Sequence, residues 1–175
     1  MKTCHMSLVT LLREKKISHV VSTNVDGLHR RSGLSESELS ELHGNCYKEN
    51  CKKCNKEYLR DKDTTPNGTR RDHLTGRNCE CGGPLGFLYF FFIQIYFLTI
   101  ENNILVDNIV NFGESLPEHE FNKAISYSKD ATLALVLGTS MKVSPACNLP
   151  EAVYKKPNGK LVIVNLQRTP CKFFL

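Results

Sequence analysis

Asn24, Asp26 and His29 lie close together just after the apolar Val20 and Val21, and a second histidine, His43, follows beside Gly44. An amide, a carboxylate and imidazoles in neighbouring loops can orient a polar ligand and move a proton. Val20 and Val21 are β-branched, so Ile17 to Ser22 is predicted to be a buried strand that ends in this polar loop. Ligands of open α/β sheets bind beyond the carboxyl ends of the strands, which makes the loop a candidate site. The same residue types also suit a plain turn in which Asn and Asp bond to the backbone, and at this level both readings stay open.

Cysteines supply the second chemistry. Cys51 and Cys54 form a CxxC pair, and Cys79 and Cys81 form a CxC pair beside Gly82, Gly83 and Pro84. Two such knuckles around a hairpin-sized insert match a structural zinc ribbon, because four thiolates complete a tetrahedron and leave no open position for water. The CxC knuckle is tighter than usual, so Cys46 or His73 stands as a substitute ligand, while Cys4, Cys147 and Cys171 have no evident partner. Eight cysteines without an N-terminal signal peptide point to a reducing, intracellular setting, where paired cysteines hold metal more often than they form disulfides.

Other segments must position these groups. Leu8, Leu11 and Leu12 share a helical face within Met6 to Lys16, and Arg13, Lys15 and Lys16 crowd the end where the helix dipole is negative. Leu39 and Leu42 predict a short helix over Ser37 to Leu42 that delivers His43 to its end. DNIVNFGE, Asp107 to Glu114, alternates like a strand turning at Gly113, and Pro117 opens a helix to about Lys129 with Phe121, Ala124 and Ile125 on one side. Thr132 to Leu137 and Leu161 to Val164 are apolar runs that read as buried strands, ending at Gly138, Thr139, Ser140 and at Asn165, Leu166, Gln167. Parallel strands joined by crossover helices bring such loops to one sheet edge, where Gly138 permits close backbone approach and Ser140 and Asn165 offer partners to a nucleotide.

The chain's 175 residues, 41% of them hydrophobic, suffice for one domain with a small appendage. A net charge of +5 is compatible with chromatin or acidic partners but is too small to indicate nucleic-acid binding. Phe87 to Ile100, FLYFFFIQIYFLTI, is shorter than the roughly 20 apolar residues of a membrane-spanning helix and rich in strand-forming types. No membrane partner is expected. Its abrupt composition reads as an insertion over residues 86–105 that is foreign to the surrounding domain.

Taken together, NVDGLHRRSG, ELHGN, the two cysteine pairs, NFGESLPE, LGTS and LVIVNLQ resemble, in order, the motifs of the sirtuin family of NAD-dependent protein lysine deacylases, most closely its nuclear class IV branch. The resemblance covers most of the chain outside Gly86 to Leu105. It implies an α/β fold, an incomplete Rossmann-like parallel sheet with helices on both faces, formed by residues 1–45 and 106–175, with a zinc module at 46–85. It also implies that NAD and an acyl-lysine protein, histones among the candidates, meet in the cleft and yield nicotinamide and O-acyl-ADP-ribose. His43 matches the family's general base, which acts on a ribose hydroxyl; an imidazole can accept a proton near neutral pH. Asn24 matches the residue that orients ribose and a water, and Asp26 the one that recognises the nicotinamide amide. Thr23, Val25, Gly138, Thr139, Ser140, Asn165, Leu166 and Gln167 match the NAD loops, and Phe112, Gly113 and Glu114 the segment that pairs with substrate backbone. Nuclear placement and chromatin association follow from the same likeness.

Four departures qualify the match. The family's first strand and its GAGxS loop would precede Met1. Thr23 stands where the family usually has Gln, which removes a hydrogen bond worth about 0.5–1.5 kcal/mol. The apolar run separates the zinc knuckle from NFGE, and the chain ends at Leu175, before the family's last strand. The competing readings are therefore a catalytically impaired, zinc-stabilised module that binds peptide or protein, and a membrane-anchored chain using the Phe-rich run.

Overall fold

Leu8, Val9 and Leu12 give the first helix its inner face. In the computed structural model, which describes residues 3–65, 72–82 and 103–169, that helix is α1 (Thr3–Arg13). It ends in a Schellman arrangement: Lys15 takes a left-handed φ of 57°, Lys16 N–H bonds Leu11 O at 2.8 Å, and Lys15 N–H bonds Leu12 O at 3.0 Å. Val9 packs with Val20, Leu34 and Leu39, flanked by Leu8, Leu12 and Ile17. This cluster docks α1 on β1 (Val20–Ser22).

The segment expected to be a helix over Ser37 to Leu42 is instead β2 (Leu39–Glu41), parallel to β1 with Val20 opposite Leu39 and Ser22 opposite Glu41. The spacing of Leu39 and Leu42 has a different cause. In extended backbone, residues three apart point to opposite faces, so Leu39 joins the α1 cluster while Leu42 enters a second core with Ala124 and Leu149. Both leucines are fully buried.

Pro117 precedes α3 (Glu118–Asp130), whose Phe121, Ala124 and Ile125 line that second core. The Lys156 ammonium caps the helix's far end, donating to Ser128 O (2.5 Å), Lys129 O (2.5 Å) and Ala131 O (2.8 Å). β7 (Leu133–Leu137) and β8 (Lys160–Val164) pair in parallel, and α4 (Asn148–Tyr154) packs on both. α4 was not anticipated, although Pro150 in its first turn and the i,i+4 pair Leu149 and Val153 are helix signals.

Two expectations need correction. The parallel strands form two separate pairs, β1–β2 and β7–β8, rather than one sheet. An apolar run marks a strand but does not name its neighbour. The β7–β8 strands are also not buried on both faces: Leu133, Leu135, Leu137, Val162 and Val164 are 41–57% exposed, and their alternation and register put them on one face.

The cysteine region is an antiparallel sheet in the order β4–β3–β6–β5, built from β3 (Lys48–Cys51), β4 (Glu57–Leu59), β5 (Leu74–Asn78) and β6 (Ile104–Asp107). β6 pairs with both β3 and β5, so a boundary placed at 105 cuts a central strand. Glu49 on β3 is fully buried and neutralised by Arg60 (2.6 Å) and Arg77 (2.8 Å). Past β6 the expected strand over Asp107 to Glu114 does not form. Asp107 Oδ1 accepts the Ile109 N–H (3.0 Å) and Asn108 Oδ1 accepts the Asn45 N–H (3.0 Å), so side chains take bonds a ladder would need.

The Phe87 to Ile100 run, residues 83–85 and Cys171 to Leu175 lie outside the described residues. Among the described residues no helix is long and apolar enough to cross a membrane.

His19, just ahead of β1, carries a pH dependence. Its ring stacks on Tyr127 at 4.0 Å and lies 2.9 Å from Ser40 Oγ. Burial, then the Lys123 ammonium, pushes its pKa from 6.5 down to about 4. The unfolded chain binds more protons between those values, so this contribution is complete above 6.5 and is lost as pH falls toward 4. The loss is about 2 kcal/mol after allowance for the ring's partial exposure. Urea midpoints above and below this window should differ accordingly, and the difference should shrink in His19→Gln. An unchanged difference in that variant would assign the pH dependence to other groups.

Candidate functional site

The exits of β1 and β2 are sewn together. Ser22 Oγ accepts the Asn24 N–H (3.1 Å), Val25 O accepts the Cys46 N–H (2.8 Å), and the His43 ring bonds Thr23 O through Nδ1 (3.1 Å). A carbonyl can only accept, so Nδ1 carries the proton and Nε2 of the neutral ring keeps a free lone pair. That is the tautomer a general base needs. Asn24 and Asp26, on the loop that follows Thr23, are exposed. Asp26 also acts as the turn reading would have it, since Oδ1 accepts the Leu28 N–H (3.0 Å) at the start of α2 (Leu28–Arg31). His29 turns away, its ring centroid 4.8 Å from that of His5, and burial followed by the His5 charge lowers its pKa.

Behind His43 lies a polar support that sequence reasoning did not identify. The buried Glu41 accepts from Asn45 Nδ2 (2.8 Å) and lies 3.6 Å from Arg30 and 3.8 Å from Lys48. Burial raises its pKa against these cations. Gly44, at φ 80°, fits against β6's exit so closely that a Cβ there would stand 2.0 Å from Asn108 O. Val110 N–H then bonds His43 O (3.1 Å), which brings the NFGE segment next to the histidine. Phe112 is 92% exposed, Gly113 has φ 91°, and Glu114 bonds back to Asn111 N–H (2.8 Å).

The β7 and β8 exits also adjoin one another, with Gly138 N–H on Val164 O (2.9 Å). Gly138 has φ 62° and open space where a Cβ would be. Thr139 Oγ1 accepts the Met141 N–H (3.4 Å), Asn165 Nδ2 donates to Gln167 O (2.9 Å), and Ser140 and Leu166 are exposed.

Cys51, Cys54, Cys79 and Cys81 place their sulfurs within 4.8 Å of one another. The Lys53 and Cys54 N–H groups point at Cys51 Sγ (3.3 and 3.5 Å) and the Cys81 N–H at Cys79 Sγ (3.4 Å). A Tyr58 hydroxyl 3.1 Å from Cys79, together with the Cys81 N–H, lowers that thiol to about 6. Four thiols with thiolate-stabilising donors fit a closed zinc site. Neither proposed substitute joins it: Cys46 lies outside the cluster, and His73 is held by Asp107 and Glu114.

Comparison with known proteins decides the family. The Sir2 family profile matches residues 1–145. The chain belongs to the Sir2 family. Among curated relatives, this Sir2 chain is 40% identical over 169 residues to "NAD-dependent protein deacetylase SRT1" of Arabidopsis thaliana, covering 95% of itself and 31% of that protein. It is 40% identical over 174 residues to "NAD-dependent protein deacetylase sirtuin-7" of Bos taurus, covering 95% of itself and 38% of that protein. It thus spans about a third of the length of these relatives. A solved Sir2–p53 peptide–NAD+ structure superposes with a TM-score of 0.62 at 32% identity, covering 95% of this chain and 59% of the other. The Sir2 fold is therefore shown for the chain, as an α/β structure of small sheets with a four-cysteine cluster.

Proposed function

We propose that the chain carries the His43 half of an NAD-dependent protein lysine deacetylase. The observation that carries this reading is the His43 Nδ1 bond to Thr23 O, which ties the ring to the loop that carries the exposed Asn24 and Asp26 and leaves Nε2 as the proton acceptor. The similarity to relatives named as NAD-dependent protein deacetylases supports it. In this reading residues 1–45 and 108–175 hold the dinucleotide, and the β4–β3–β6–β5 sheet with its four cysteines forms the zinc module. The Thr23–Asp26 loop, Gly138, Thr139, Ser140, Asn165, Leu166 and Gln167 receive NAD, which supplies the sugar carbon from which nicotinamide departs. Asn24 orients the ribose and Asp26 the amide, while His43 Nε2 takes a hydroxyl proton. Phe112, Gly113 and Glu114 align the acyl-lysine backbone. We further propose nuclear placement with histones or other chromatin proteins as substrates.

The test is nicotinamide release from the purified, zinc-loaded chain. It should require NAD and an acetyl-lysine peptide together. Release with neither dependence, or no NAD binding at all, would remove the enzyme reading. The exposed Phe112 favours one alternative, a module that binds acylated peptide without turnover. That module would bind the peptide and release no nicotinamide.

A further inference from the structure

His73 sits where the zinc-bearing sheet meets the NFGE segment. Its backbone has a left-handed φ of 56°, and its carbonyl accepts the Asp107 N–H of β6 (2.9 Å). The ring lies between two carboxylates, with Nδ1 2.9 Å from Asp107 Oδ1 and Nε2 3.0 Å from Glu114 Oε1. Carboxylates only accept, so both bonds exist together only when both ring nitrogens carry a proton. A neutral ring turns a lone pair toward one of them. Asp107 is buried and also takes the Ile109 N–H, whereas Glu114 is exposed, so the Glu114 bond is the one surrendered. Asn111 Nδ2 lies 3.4 Å from Nε2 but bonds Glu114 at 3.2 and 3.3 Å, and Asp72 Oδ1 accepts the Leu74 N–H. Burial opposes the charge on His73, but the bonds to Asp107 and Glu114 outweigh it and raise the pKa above its ordinary value.

We propose that His73 is a positioning residue: its doubly protonated ring clamps Glu114 to Asp107, holding Phe112–Gly113–Glu114 in the shape that receives an acyl-lysine backbone and releasing it when the ring loses a proton. The substrate part rests on the reading of Phe112–Glu114 given under the proposed function. The clamp itself rests on the geometry of the ring.

Three measurements on the zinc-loaded full chain test it. Nitrogen-15 NMR of the His73 ring should show both nitrogens protonated below a single midpoint that lies above that of free histidine. Glu114→Gln should bring that midpoint back toward the ordinary value. Fluorescence anisotropy with an acetyl-lysine peptide should show affinity falling about fivefold as pH rises through the midpoint, the scale of one net hydrogen bond, and His73→Gln should bind weakly with no step. Protection factors of the Gly113 and Glu114 amides, corrected for intrinsic base-catalysed exchange, should fall above the same midpoint in the wild type only. An ordinary midpoint, or the same pH step in His73→Gln, overturns the proposal. Should the wild type bind no peptide, the substrate reading fails alone, and the NMR and exchange data still decide for or against the clamp.

Discussion

Stripping zinc with a chelator should unfold the β4–β3–β6–β5 sheet. Among the described residues the apolar centre of that sheet is Leu105 with Cys51 and Cys79 and the flanking Tyr58. That centre must also carry the cost of burying the Glu49 carboxylate between two arginines. A structural zinc site contributes apparent binding energy on the order of 10 kcal/mol, comparable to the whole stability of an ordinary domain. Stoichiometric zinc release should therefore coincide with loss of amide protection in Glu49–Cys51 and Leu105–Asp107, and Cys51→Ser should reproduce the loss at ordinary zinc levels. Amides in those strands that stay protected after complete metal removal would mean that packing alone holds the sheet.

His43→Ala carries the second large effect. A positioned base contributes about 10²–10⁴-fold to a proton-transfer step, so the variant should lose turnover by that factor. Removing an interaction used only in the transition state lowers kcat and leaves KM for peptide and NAD nearly unchanged. Gly44 and Val110 hold the loop through backbone contacts, so the truncation should leave the fold intact. Wild-type turnover in His43→Ala would assign the base to another residue, and a large rise in KM alone would make the ring a binding group.

What was legible in the sequence follows from how local each cause is. The helices α1 and α3 and the strands β1, β7 and β8 appear close to their expected places because periodicity and apolar runs are properties of neighbouring residues. The cysteine quartet was legible for a similar reason, since each knuckle fixes two ligands within a few residues and chemistry requires four. β2 was not, because the spacing of Leu39 and Leu42 satisfies a helix face as well as two opposite faces of a strand. Only the partner strand β1 resolves that ambiguity. The segment after β6 escaped because Asp107 and Asn108 use their side chains on the backbone. The supports of the site were hidden for a deeper reason: Glu41 and Glu49 read as surface charge until Arg30, Lys48, Arg60 and Arg77 arrive from elsewhere in the chain.

The tight fit of Gly44 against Asn108 O gears the two halves of the molecule to one another. With no slack at that tooth, and with Asn45 and Val110 bonded across the same seam, the metal-bearing sheet cannot shear without dragging the imidazole along. Distortion imposed from the outer rim of that sheet would thus be felt as misalignment at Nε2.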